Sequence, residues 1–130
     1  MNQLTKYNAH PIQFVESSKV KEGVTCDVYK FTDDESRDLG IVSVQKGYKT
    51  PLQLVVDGDK TLEIFQSGCG TLTIIDQNGD TREYNFPSKQ TEVEIKIGET
   101  VQWEASEDLV FAEICYPPYK EGRFKNLPEV

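Results

Sequence analysis

A chain of 130 residues is long enough to bury roughly two thirds of its unfolded surface around a single core, with no need of a metal or disulfide to hold it together. Its 14 Lys and Arg against 22 Asp and Glu leave a formal net charge of -8, which repels phosphate backbones and anionic lipid and argues against nucleic acid and membrane surfaces as partners. No run approaches the roughly 18 apolar residues of a membrane span, the first residues lack the apolar stretch of a signal peptide, and Cys26, Cys69 and Cys115 are spaced for neither zinc nor a disulfide framework, so the expectation is a cytoplasmic protein with free thiols.

Residues 1–23 mix polar types with Pro11, Gly23 and a weak apolar pattern at Ile12, Phe14 and Val15, and read as a lead-in or an edge strand. From Val24 to Phe31, Val24, Cys26, Val28 and Lys30 alternate with Thr25, Asp27, Tyr29 and Phe31, the pattern of a strand. The acidic, apolar-poor Thr32–Asp38 predicts an exposed loop, and Leu39–Val44 the next strand. Three short strands follow at Leu52–Val56, Thr61–Phe65 and Thr71–Ile75, separated by Asp57-Gly58-Asp59 and Ser67-Gly68-Cys69-Gly70, residue types that hairpin turns demand. The pair Asn78-Gly79 takes positive φ readily and predicts a two-residue hairpin into Thr81–Phe86. Beyond Pro87, Thr91–Ile97 alternates Val93, Ile95 and Ile97 with Glu92, Glu94 and Lys96, and short strands are expected at Thr100–Ala105 and Leu109–Tyr116.

The last of these is apolar on both faces, Leu109, Phe111 and Cys115 against Val110, Ala112, Ile114 and Tyr116. Its second face therefore needs a cover, either the chain termini or a partner subunit, and the second option predicts a homodimer through this strand and the N-terminal ones. After Tyr116 the chain carries Pro117, Pro118, Pro128 and Gly122 among aromatic residues, and 119–130 reads as an irregular tail packed on the body. With no helical period, repeat or linker, the chain is an all-β single domain whose sandwich or barrel spans 24–118.

Gly47, Thr50-Pro51, the turn Ser67-Gly68-Cys69-Gly70-Thr71-Leu72, Gly98-Glu99-Thr100-Val101 and the closing Pro117-Pro118 together resemble the small single-domain cupins over about residues 40–118. The resemblance implies a double-stranded β-helix, a barrel of jelly-roll type. The family's His-x-His metal ligands then fall on Gln53 and Val55, its glutamate near Thr61 and its second-motif histidine in Ala105–Leu109. Valine cannot coordinate, and Gln and Thr are weak neutral donors, so neither a metal nor another cofactor is expected. His10, the only histidine, precedes the barrel and supplies at most one ligand.

A barrel keeps a mouth and an interior without its metal, and small ligands commonly sit there. With Gln53 inward, as the resemblance implies, Val55 is inward too; Thr61, Glu63 and Phe65 share one face of the next strand, and Glu113 shares a face with Phe111 and Cys115. Glu63 and Glu113 are candidates for an acid/base pair, because buried carboxylates without partners hold raised pKa values. The blander reading turns them to solvent or pairs them with a cation such as Arg123. Gln53, Thr61, Trp103, Cys115 and Tyr116 are candidate ligand contacts, with core packing the plainer role for the aromatics and an inert thiol the plainer role for Cys115. Three functions stay open: a metal-independent binding protein for a small polar molecule such as a sugar or small organic acid; an isomerase, epimerase or lyase using Glu63 and Glu113; and a structural or regulatory barrel filled by its own side chains.

Overall fold

A computed structural model describes residues 4–119 and 122–128, and among them every regular element is a strand. No helix there is long and apolar enough to cross a membrane. The strands are β1 (Lys6–Tyr7), β2 (His10–Lys21), β3 (Val24–Phe31), β4 (Asp38–Val44), β5 (Gln53–Val55), β6 (Lys60–Ser67), β7 (Gly70–Ile75), β8 (Thr81–Phe86), β9 (Glu92–Ile95), β10 (Thr100–Ala105), β11 (Leu109–Tyr116) and β12 (Phe124–Asn126). They form a seven-stranded sheet in the order β1-β2-β3-β4-β11-β6-β9 and a five-stranded sheet in the order β12-β5-β10-β7-β8, a jelly-roll barrel.

The non-sequential order corrects the reading of the central stretch. β6 lies in the large sheet while β5 and β7 lie in the small one, so Asp57-Gly58-Asp59 and Ser67-Gly68-Cys69-Gly70 carry the chain between sheets and close no hairpin. Hairpins and arches use the same turn residues, because both need glycine where the backbone turns left-handed or packs closely. Gly68 meets both demands: its φ is +95°, and an added Cβ would lie 1.8 Å from the Asp108 carbonyl oxygen. The turn at Asn78-Gly79 is a hairpin, yet of another kind. Only Gly79 has positive φ, and Asp76 organises residues 76–80 by accepting from the Asn78 and Asp80 N–H groups at 2.9 and 3.0 Å.

Residues 10–21 form a full strand paired along its length with β3, interrupted by two register shifts. The tail also joins a sheet, since β12 pairs with β5 from Phe124↔Val55 to Asn126↔Gln53.

Two apolar layers result. Between the sheets, Val24, Val42, Val55, Leu72, Ile74, Ile95, Val101, Trp103, Leu109 and Phe111 are among the residues of the main core. On the outer side of the large sheet, Ala112 and Ile114 of β11 are buried with Tyr7, Ile12, Tyr29, Phe31 and Leu39. The second apolar face of β11 is thus covered from within the chain, partly by its N-terminal strands. One polar contact pins the far end of the small sheet: buried Glu99 accepts from Lys96 N–H at 2.9 Å and from Arg82 Nη1 at 3.1 Å. Because Arg82 is substantially exposed, most of the loss in Glu99→Ala comes from the stranded Lys96 amide. A decrease of about 1 kcal/mol in urea unfolding is expected, and no change in the midpoint would count against that role.

Candidate functional site

Residue alternation on the large sheet brings the site together. In one row across it, Val28 of β3 stands opposite Gly40 of β4, Gly40 opposite Glu113 of β11, Glu113 opposite Glu63 of β6, and Glu63 opposite Val93 of β9. The row thus places the two carboxylates side by side, facing the small sheet. Gly40 brings no side chain beside Glu113, and a cavity of about 560 Å³ opens there between the sheets. Its walls include Val24, Val42, Val101, Trp103 and Phe111, its polar lining includes Cys26, Asp38, Gln53, Glu63 and Glu113, and β2 contributes Glu16 and Ser18.

Trp103 is the fixed wall. Its ring stacks on Phe111 with centroids 4.4 Å apart and packs against Phe86 at 5.3 Å. Its backbone N–H donates to Thr50 Oγ1 at 2.9 Å, and its indole Nε1 donates to Glu63 Oε1 at 3.3 Å. Glu63 is only 2% exposed, and its second oxygen, Oε2, is buried with no hydrogen-bond partner among the described residues. Burial, and then the charge of neighbouring Glu113, hold Glu63 well above the ordinary carboxylate range, against the Trp103 contact that pulls it down. Burial pushes Glu113 up as well, while the adjacent Glu63 carboxyl pulls it the other way. In such a pair one proton stays where two charges would repel, and the two carboxyls share it.

The remaining predicted residues divide. Gln53 lines the cavity and donates from Nε2 to Asn126 Oδ1 at 3.0 Å; Cys115 lines it too. Thr61 is buried on the inward face of β6 but lies outside the cavity lining, its Oγ1 without a partner among the described residues. Tyr116 is turned away, because the alternation that points Cys115 inward points its neighbour outward. There its hydroxyl accepts from Arg37 Nη1 at 3.3 Å and its ring lies 4.8 Å from Lys60 Nζ, so it does not touch the cavity. Arg123 neutralises neither glutamate by an ion pair; its Nη2 donates to the backbone carbonyls of Lys60 and Tyr116, while its buried Nε has no partner among the described residues.

Asp38 joins the site although its acidic neighbours predict a loop. It begins β4, and inward alternation from Val44 through Val42 and Gly40 ends on it, which is the signal that finds it. Burial raises its pKa, while the Tyr119 N–H, donating to Oδ2 at 2.9 Å, opposes the shift. Burial also pushes the Cys26 thiol up to about 12 and raises Cys115 further. Iodoacetamide at mildly alkaline pH should therefore modify half-buried Cys69 first, and equal rates at all three cysteines would contradict this ordering.

No protein-family model and no curated protein matches the chain. Among solved structures, Bacillus subtilis oxalate decarboxylase is similar at a TM-score of 0.70 with 19% identity, over 82% of this chain and 29% of that one. The oxalate decarboxylase of Lactobacillus farciminis, in a formate complex, is similar at 0.69 with 17% identity, over 89% and 33%. The barrel is a cupin fold. The chain spans about a third of the length of these cupins or less, and at such identities the likeness extends to the fold alone.

The Bacillus enzyme contains Mn(II) centres. The positions on which the sequence resemblance places the family's first-motif metal ligands are Gln53, engaged with Asn126; Val55, 2% exposed in the core; and buried Thr61. In the second-motif stretch, Asp108 Oδ1 accepts from Lys46 N–H at 2.9 Å at an exposed turn. His10 sits on the outer hairpin, 3.3 Å from Asp33. Among the described residues no group of three or more His, Cys, Asp or Glu is placed to hold one ion, so the donor set does not fit that metal.

Proposed function

We propose that this barrel binds a small polar molecule between its sheets without a conventional metal site. The observation that carries this reading is the cavity of about 560 Å³, whose apolar walls converge on a few polar groups, Gln53, Asp38, Glu63 and Glu113. An interior of that size also weighs against a barrel filled by its own side chains. Native mass spectrometry of protein taken directly from cells tests the reading: a bound mass that leaves on unfolding supports it, and a bare chain of 14.8 kDa argues against it. Metal analysis after dialysis against a chelator tests the second half, and stoichiometric iron, manganese or zinc retained by the protein would overturn it.

A second reading has its own support. Glu63 and Glu113 stand directly opposite each other in neighbouring strands, and burial raises the proton affinity of both. That arrangement suits proton transfer at carbon, with protonated Glu63 as acid and ionised Glu113 as base, the chemistry of an isomerase, epimerase or lyase. Exchange of a substrate C–H for solvent deuterium, lost in Glu113→Gln while binding persists, would establish it.

The N-terminal strands offer support for a homodimer, since Val15 and Val20 of β2 are 53% and 41% exposed. Sedimentation at micromolar concentration should then give twice 14.8 kDa, and a species of 14.8 kDa overturns the pairing.

A further inference from the structure

Among the described residues, the charged ones lining the cavity are Glu16, Asp38, Glu63 and Glu113, and no Lys, Arg or His lines it. Within the described residues the nearby cations lie outside that lining. Lys30 stands opposite Asp38 in the β3–β4 ladder but is exposed and outside the lining. Arg123 lies close enough to lower the pKa of Asp38 and Glu113 but forms an ion pair with neither: its Nη1 and Nη2 donate to the carbonyls of Lys60, Tyr116 and Pro117, and its buried Nε has no partner among the described residues. The thiols of Cys26 and Cys115, the other titratable groups on the inward faces of β3 and β11, are neutral. Meanwhile Glu63, 2% exposed, finds for Oε2 no donor in the site beyond the proton it shares with Glu113. Two buried carboxyls that share one proton are short of donors, and a ligand that brings donors and positive charge supplies them where a carboxylate ligand would add repulsion.

We propose that the occupant of the cavity is a small organic ammonium compound, its cationic head seated between Glu63, Glu113 and Asp38 and its apolar part along Val42, Val101 and Phe111. The inference rests on the binding reading above and narrows it, for it selects against small carboxylates such as the formate of the Lactobacillus complex. It also makes binding a proton-linked event. The proton that the Glu63–Glu113 pair retains when empty becomes dispensable once a cation neutralises the pair, so it leaves to solvent as the ammonium enters.

Benzylamine, benzyl alcohol and benzoate share one ring and differ in the charge of the head group, and isothermal titration of the wild-type chain with each decides the matter. Benzylamine is expected to bind at least about tenfold more tightly than benzyl alcohol, with benzoate weakest. Its heat should differ between phosphate and Tris buffers in the sense of proton release, and Glu63→Gln should close the gap between amine and alcohol. Alcohol or benzoate binding as well as the amine overturns the ammonium inference and leaves cavity binding standing. If none of the three binds, the ammonium inference falls, and native mass spectrometry of cell-derived protein, which needs no probe, decides separately whether the binding reading falls with it.

Discussion

Replacing Arg123 with alanine is expected to lower the unfolding free energy by about 3 kcal/mol and to loosen β12 from the barrel. The side chain is 2% exposed, although it belongs to a tail rich in turn residues. Its Nη2 donates to Tyr116 O at 2.7 Å and Lys60 O at 2.9 Å, and its Nη1 to Pro117 O. Those three acceptors end β11 and begin β6, so one guanidinium ties the tail to two neighbouring strands of the opposite sheet. Hydrogen bonds from a charged donor contribute more than neutral ones, and the alanine variant removes three of them at once, with Tyr116 O keeping only the Asp59 N–H at 2.8 Å. Lysine is a poor substitute, because a compact ammonium cannot reproduce the planar fork. Gly58 is part of the same device: its φ is +102°, and an added Cβ would lie 2.4 Å from the Arg123 guanidinium carbon. Gly58→Ala should therefore weaken the same clasp. Urea unfolding measures the free energy, and hydrogen exchange at Val56, whose N–H donates to Arg123 O at 2.9 Å, reports the local loosening. A loss under about 1 kcal/mol with unchanged exchange would mean that the tail is held by Phe124 and its neighbours instead.

Which parts of this molecule could be read from its sequence follows from how local each signal is. The strands from Val24 to Tyr116 announce themselves because each carries its own alternation, and the resemblance of the glycine and proline turns identified the barrel. Asn8-Ala9 hid the β1–β2 turn, since Ala9 adopts a φ of 68° that only glycine, asparagine or aspartate advertise in a sequence. Strand β12 hid for a different reason: three residues, Phe124–Asn126, have too few neighbours to show a period, and pairing with β5 alone makes them a strand. In the site, alternation placed Glu63, Glu113 and Cys115 on inward faces, and it equally placed Tyr116 outside. Alternation cannot reveal which inward residues meet across a ladder. That Glu113 stands opposite both Gly40 and Glu63 is a matter of register between strands far apart in the chain, and the cavity beside them depends on that register.

Glu63→Gln should stabilise the protein by about 1–3 kcal/mol above neutral pH and by little or nothing in acid. The folded state holds Glu63 well above its ordinary value of 4.5, chiefly through burial and the charge of Glu113. Below 4.5 both folded and unfolded chains carry the proton, and the glutamic acid behaves much like the glutamine that replaces it. As pH rises from there, the unfolded chain releases its proton while the folded chain retains it. The folded state is then the better proton binder, so stability falls until pH passes the raised pKa, after which the difference is constant. Glutamine removes this proton-linked loss while keeping the side chain's size and an acceptor for Trp103. Carboxylates whose pKa is lowered by folding, such as Glu22 and Asp34, push in the opposite direction, but they are common to both proteins and cancel in the comparison. Urea unfolding of the two proteins at acidic, neutral and alkaline pH should therefore give curves that separate progressively with rising pH, the variant on top. Parallel curves, or a variant weaker than wild type in alkali, would mean that the buried carboxylate is compensated in the folded state. A stability cost of this kind, carried by a carboxyl pair facing a cavity, is what the proposed ligand recognition by these two residues predicts.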